Sequence, residues 1–152
     1  MPLAVMVADC IPLLLTSKVA VAAVHVGRKG LMNSVALNAI SAMREIGATE
    51  ISAIMGPSIC GRCYEVSEEI FLEVTKAHPA AAATTASGTH SLDLPAALVK
   101  TLLSEGVAIS FESGCTAEDP ALFSYRRDGV TGRQAGICLL YTSPSPRDRT
   151  RS

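Results

Sequence analysis

The chain has 152 residues, 49% hydrophobic and 18% charged, which is the composition of a folded domain and not of a disordered segment. Thirteen basic residues against fourteen acidic ones give a net charge of -1, and there is no Trp and only three Tyr and three Phe. That balance lacks both the basic footprint and the stacking platforms of a nucleic-acid binder. The apolar runs Ile11 to Leu15 and Val19 to Val24, interrupted by Thr16, Ser17 and Lys18, fall far short of the roughly 20 residues of a bilayer span, so no membrane segment is expected.

Met1-Pro2-Leu3 carries no basic leader, and Asp9 lies where the apolar core of a signal peptide would be, so the chain reads as cytoplasmic. The five cysteines (Cys10, Cys60, Cys63, Cys115, Cys138) are odd in number and scattered, which argues for reduced thiols over a disulfide framework.

Leu3 to Val7, Ile11 to Leu15 and Lys18 to Val26 read as three short strands buried on both faces. Leu31 to Ile46 reads as one helix: Met32, Val35, Ala36, Ala39, Ile40 and Met43 share a face, and Gly47 follows at a stop position. Ile51 to Met55 reads as a buried strand ended by Gly56-Pro57. A second helix is expected from Ser67, its N-cap, with Glu68 and Glu69 at the positive end of the dipole and Val66 stapled to Phe71. It should stop before Pro79. Ala80 to Gly88 reads as a loop of small residues. A third helix is expected from Pro95 to Glu105, with Asp93 as cap and Gly106 as stop, followed by strands at Val107 to Phe111 and Ala135 to Leu140. Residues 141–152, with two prolines, three arginines and no apolar pattern, read as a tail or non-native sequence outside the 1–140 domain. Alternating strands and helices make the class mixed α/β.

Asp9-Cys10 and His25 fall at neighbouring strand ends. A thiol and an imidazole are good zinc donors, although two are fewer than the three of a catalytic site, and a buried Cys with a satisfied His is the plainer alternative. Cys10 with His25 would also suit a thiol nucleophile and its base. Gly27-Arg28-Lys29-Gly30 opens a helix and suits an anion, or is an ordinary turn. Cys60-Gly-Arg-Cys63 is a lone CxxC: a redox pair, or two cysteines packing in a tight loop. Arg62, Tyr64 and Glu65 beside it point either into a cleft or to solvent. After Cys115-Thr116, the stretch 123–133 gathers Ser124, Tyr125, Arg126, Arg127, Asp128, Thr131 and Arg133. Such a polar cluster suits a phosphate or a ribose, while Asp128-Gly129 alone would suit a hairpin turn. His78 and His90 read as solvated.

Together ADCIPLLL (8–15), VAAVHVGRKGL (21–31), GPSICGRCYEV (56–66), LDLPAAL (92–98) and CTAEDPALFSYRRDGVTGR (115–133) resemble, in order, the bacterial laccase-domain or YfiH-type family of purine nucleoside phosphorylases. The resemblance covers about residues 3–140. It implies a layered α/β/β/α sandwich and a zinc held by His, Cys and His, of which Cys10 and His25 match two. The remaining His belongs to an upstream Gln-Val-His segment, so these residues would be the C-terminal portion of a longer protein. The implied reaction is phosphorolysis of adenosine, inosine or methylthioadenosine to free base and (methylthio)ribose 1-phosphate. Adenosine deamination and an older copper-dependent laccase activity are also implied for the family, and an inactive fragment is the remaining alternative. The implied site has Asp9 and Cys10 as catalytic groups, Cys10 and His25 on the metal, and Gly27, Lys29, Arg62, Tyr64, Arg126 and Arg127 toward nucleoside and phosphate. The family's HAGWRG reads His25-Val-Gly-Arg-Lys-Gly30 here: Trp becomes Arg28, and Arg becomes Lys29, which keeps the charge but not the bidentate fork.

Overall fold

The computed structural model describes residues 1–111 and 114–140. The tail reading for 141–152 lies outside them.

Strands β1 (Leu3–Val7), β2 (Ile11–Thr16) and β3 (Val21–Val26) open the chain. Helices α1 (Arg28–Met32) and α2 (Val35–Glu45) lead to β4 (Ser52–Met55). Helix α3 (Glu68–Ala77) is followed by a 3-10 turn at Pro79–Ala81 and the hairpin β5 (Ala82–Thr84) and β6 (His90–Leu92). Helix α4 (Leu94–Ser104), strand β7 (Ala108–Phe111), the short helix α5 (Tyr125–Asp128) and strand β8 (Gln134–Cys138) complete the order.

The central sheet runs β3-β2-β4-β7, antiparallel except for the parallel pair β4–β7. One face is the core. Ile11, Leu13 and Leu15 of β2 meet Leu31, Ala36, Ile40, Met43, Leu98 and Leu102 of the helices. At Leu13, Leu15, Leu98 and Leu102 exposure is 0%, so truncating any one to Ala would cost about 2–5 kcal/mol. The other face carries the antiparallel pair β1–β8. A Cβ at Gly136 would lie 3.2 Å from Val5, 3.3 Å from Leu14 and 3.5 Å from Pro12, so β8 rests closely on the alternate residues of β2. The result is a mixed α/β fold in α/β/β layers.

The caps at Ser67 and Asp93 form as expected: their side chains accept from Ile70 N (3.3 Å) and Ala96 N (3.0 Å). Other expectations change. The single helix over 31–46 is two helices, because Ser34 sits in the left-handed region (φ 59°) and turns the chain between them. The first strand is buried on one face only: Met6 is 61% exposed and Ile137, on the same face of the pair, 65%. The loop expected over Ala80 to Gly88 contains the 3-10 turn and β5, whose turn is tied by Thr85 and Thr89 hydroxyls 2.6 Å apart. His90 is half-buried with its ring centroid 4.4 Å from that of Phe71, not solvated. Asp128-Gly129 does not make a hairpin turn. It ends α5, where Gly129 has φ 72° and Ser124 Oγ caps the start by accepting from Arg127 N at 3.2 Å.

Candidate active site

The β1–β2 turn, the end of β3, the loop after β4 and helix α5 surround one cleft of about 650 Å³. Its walls are formed by Met6, Val7, Ala8, Asp9, Cys10, His25, Tyr64, Tyr125, Arg126 and Arg133. That volume suits a nucleoside-sized ligand.

Cys10 and His25, fifteen residues apart, meet here because β2 and β3 are antiparallel with Ile11 opposite Val26 and Pro12 opposite His25. Gly27 packs directly under the sulfur: a Cβ there would lie 2.7 Å from Cys10 Sγ. Its role is therefore to leave room for the thiol. Burial first, and then the neighbouring Asp9 carboxylate, pushes the Cys10 thiol above its ordinary range. A coordinated cation would draw the proton off such a thiol. Thiol and imidazole on one wall fit two ligands of a zinc set.

Asp9, expected among the catalytic groups, is held by hydrogen bonds from the protein. Its Oδ1 accepts from Thr116 Oγ1 and Ser124 Oγ, each at 2.7 Å, and its Oδ2 accepts from Arg126 N at 2.7 Å. Thr116 and Ser124 are both fully buried. Asp9 itself has φ 101°, a conformation rare outside Gly, Asn and Asp. It is a tether that fastens the segment 116–126 to the β1–β2 turn and so positions α5 over the cleft.

Tyr64 and Arg126 form one wall together. The Arg126 guanidinium carbon lies 4.9 Å from the Tyr64 ring centroid, and Nη1 donates to Glu65 O at 2.8 Å. Arg133 donates only to the carbonyls of Thr131 and Gly132 among the described residues. Tyr125 and Arg133 belonged to the polar cluster visible in the sequence, but nothing there distinguished them from Arg127.

Of the expected binding residues, Gly27, placed under the Cys10 sulfur, and three others do not line the cleft. Arg127 uses all five N–H groups on protein: Nε and Nη2 on the Asp128 carboxylate, Nη1 on Thr116 O and Asp119 O, Nη2 also on Leu122 O. It braces the 116–128 loop and has no donor left for a substrate. Arg62 points to Glu118, 3.4 Å away, and is exposed. Lys29 is exposed on α1 and is not part of the cleft wall.

A second group of ligand-type residues joins the loop of Tyr64 to the loop of Thr116. The donor atoms of Cys60, Cys63, Cys115 and Glu118 are all within 4.8 Å of one another, an arrangement that could hold a metal ion. Burial acts to raise Cys115, but N–H groups of Cys60, Glu118 and Ala117 aimed at the sulfur prevail and lower it. Cys63 is pushed up, first by burial and then by hydrogen bonds with Cys60, Cys115 and Glu118.

The family model described as "Multi-copper polyphenol oxidoreductase laccase" matches residues 1–141. The chain belongs to this laccase-domain, YfiH-type family. A protein of Corynebacterium glutamicum named purine nucleoside phosphorylase is 46% identical over 143 residues, covering 91% of this chain and 58% of that protein. One of Streptomyces coelicolor with the same activity in its name is 48% identical, over 91% and 59%. Among solved structures, a Neisseria meningitidis protein superposes with a TM-score of 0.78 at 36% identity, covering 90% of this chain and 59% of the other. The hypothetical protein YfiH of Bacillus licheniformis gives 0.78 at 30% identity, over 90% and 56%. The chain thus spans somewhat under two thirds of the length of these laccase-domain relatives.

Proposed function

We propose that this chain contributes the nucleoside cleft of a purine nucleoside phosphorylase. The observation that carries the reading is the cleft itself. A Tyr64–Arg126 wall, a further cation at Arg133 and the Cys10–His25 pair face one space of nucleoside size. Relatives bearing that activity in their names support it.

In this reading the purine lies along Tyr64. Arg126 and Arg133, in place of the Lys29 and Arg127 anticipated from the sequence, hold phosphate against the sugar. A phosphate oxygen bonds to the anomeric carbon as the bond to the purine nitrogen breaks. The electron pair leaves with the base, which ends with the proton the hydrogen phosphate brought, relayed through water, and ribose 1-phosphate remains. Arg126 and Arg133 offset the negative charge of the nucleophile and align it, an effect of position and electrostatics. Asp9 acts indirectly, by fixing the Arg126 backbone. Zinc held by Cys10 and His25 would supply a Lewis acid able to acidify a water, the chemistry that adenosine deamination requires. Adenosine, inosine and methylthioadenosine are the proposed substrates, zinc the proposed cofactor and the cytoplasm the proposed location. Among the described residues, no helix is long and apolar enough to cross a membrane.

The family description also names a copper oxidase. In this chain His25 faces the cleft, His78 caps the end of α3 and His90 stacks on Phe71. Three dispersed histidines are a poor basis for a multicopper centre, so this reading is the weaker one. Base release from inosine, followed with and without phosphate, tests the phosphorylase reading. Oxygen uptake with a phenol in the presence of copper tests the other.

A further inference from the structure

The cysteines outside the cleft form a figure of their own. Cys60 and Cys63 lie in the loop after β4, and Cys115 and Glu118 in the loop that follows β7. Because β4 and β7 are parallel neighbours, both loops leave the same end of the sheet. They are joined there by a parallel bridge between Ser58 and Cys115, with Thr116 N donating to Ser58 O at 3.1 Å.

Each loop presents its two donors three residues apart on the same turn. In the first, Cys63 N and Tyr64 N both donate to Cys60 O, at 3.1 and 3.2 Å. In the second, Glu118 N and Asp119 N both donate to Cys115 O, at 3.2 and 2.9 Å. Two matching turns, each with ligands at i and i+3, are the construction of a zinc knuckle. The side chains already converge: Glu118 Oε1 is 3.4 Å from Cys63 Sγ and 3.8 Å from Cys60 Sγ, and Cys60 N donates to Cys115 Sγ at 3.3 Å. Tetrahedral zinc with sulfur at about 2.3 Å places ligand sulfurs about 3.8 Å apart. The donor spread of at most 4.8 Å closes to that by small side-chain rotations.

We propose that Cys60, Cys63, Cys115 and Glu118 bind one zinc ion in a closed tetrahedral site that staples the β4 and β7 loops together. This site is separate from the Cys10–His25 pair and does not depend on the proposed reaction. Each neutral thiol gives up its proton on binding, so three thiolates and one carboxylate surround the ion. Arg62, 3.4 Å from Glu118, offsets part of the excess negative charge. A disulfide would use two of the four groups and leave the third sulfur and the carboxylate without a role. The staple also serves the cleft. Cys63 precedes Tyr64, which forms its wall, and Cys115 precedes Thr116, which donates to Asp9.

The test uses the full chain, purified in reducing buffer and reloaded with zinc alone after chelation. A Cys10→Ser, His25→Ala double variant removes the cleft donors. It should retain one zinc per chain, and adding Cys63→Ser with Cys115→Ser should abolish it. Cobalt in place of zinc should show thiolate-to-metal charge-transfer absorption that falls by about a third with each single Cys→Ser change. Glu118→Gln keeps size and fold, and should weaken zinc at least tenfold. If the double cysteine variant does not fold, the cobalt spectrum of the parent and the Glu118→Gln affinity decide. The proposal is overturned if the cleft variant binds no zinc, if Cys63, Cys115 and Glu118 variants bind it as well as their parent, or if the cobalt band is absent. It is equally overturned if mass analysis under air shows a Cys60–Cys63 disulfide in a chain that takes no metal when reduced.

Discussion

Asp9 offers the sharpest test of how the cleft is held. Replacing it with Ala removes the acceptor of three hydrogen bonds, two from hydroxyls that are fully buried. A hydrogen bond to a charged acceptor contributes roughly 1.5–3 kcal/mol, and a buried donor left without a partner costs about 1–3 kcal/mol. Asp9 is only half-buried and its three bonds are not independent, so the low end applies: about 3–5 kcal/mol in all. Ala also tolerates φ 101° poorly, which adds about 1 kcal/mol. Gly separates the two effects, since it accepts the backbone conformation without replacing the carboxylate. Asn keeps one oxygen for the hydroxyls but turns an NH2 toward Arg126 N, so its loss should be roughly 1–3 kcal/mol. Urea unfolding should therefore rank stability as parent, Asn, Gly, Ala, with midpoints shifting at constant slope. An Ala variant within about 1 kcal/mol of the parent would refute the tether.

Two further outcomes follow from the same geometry. Arg126→Ala should lower nucleoside cleavage about 100-fold with little change in unfolding midpoint, whereas Arg127→Ala should destabilise the fold by leaving the carbonyls of Thr116, Asp119 and Leu122 without their donor. Steady-state kinetics and urea melts on the pair would show the contrast, and equal kinetic loss with equal stability would contradict it. Cys138 is buried and its thiol is pushed up by that burial. The folded chain then keeps a proton that the unfolded chain has released, so stability is full below the unfolded thiol pKa of about 8.5 and falls as pH rises beyond it. Cys138→Ala should flatten that alkaline loss in pH-dependent melts of metal-free protein. An unchanged slope would show that burial of this thiol does not couple to folding.

Much of this architecture was legible because local chemistry dictates it. The caps at Ser67 and Asp93, the apolar faces of α2 and α4 and the strand runs all lie within short windows. The break at Asn33-Ser34 was not, since the apolar period continues across it. The open face of β1 was also hidden: Met6 and Val7 are equally apolar, and only pairing with β8, more than 120 residues away, exposes one and buries the other. The candidate site shows the same division. Cys10 and His25 are brought together by one hairpin and could be read from neighbouring strands. The Asp9 links to residues 107 to 117 positions away depend on tertiary packing. So does the pairing of the Cys60–Cys63 turn with Cys115 and Glu118, which needs the parallel β4–β7 contact. Arg126 and Arg127 are adjacent in sequence, yet one faces the cleft and the other is consumed by the loop, a distinction that only helix α5 makes.

The proposed reaction is cleavage of purine nucleosides at this cleft with phosphate as the nucleophile. The direct measurement is to follow inosine with the complete gene product, with and without phosphate, and identify the sugar product. Base release should require phosphate, yield ribose 1-phosphate and fall when Arg126 is replaced. Base release at the same rate without phosphate, or free ribose as the product, would contradict it.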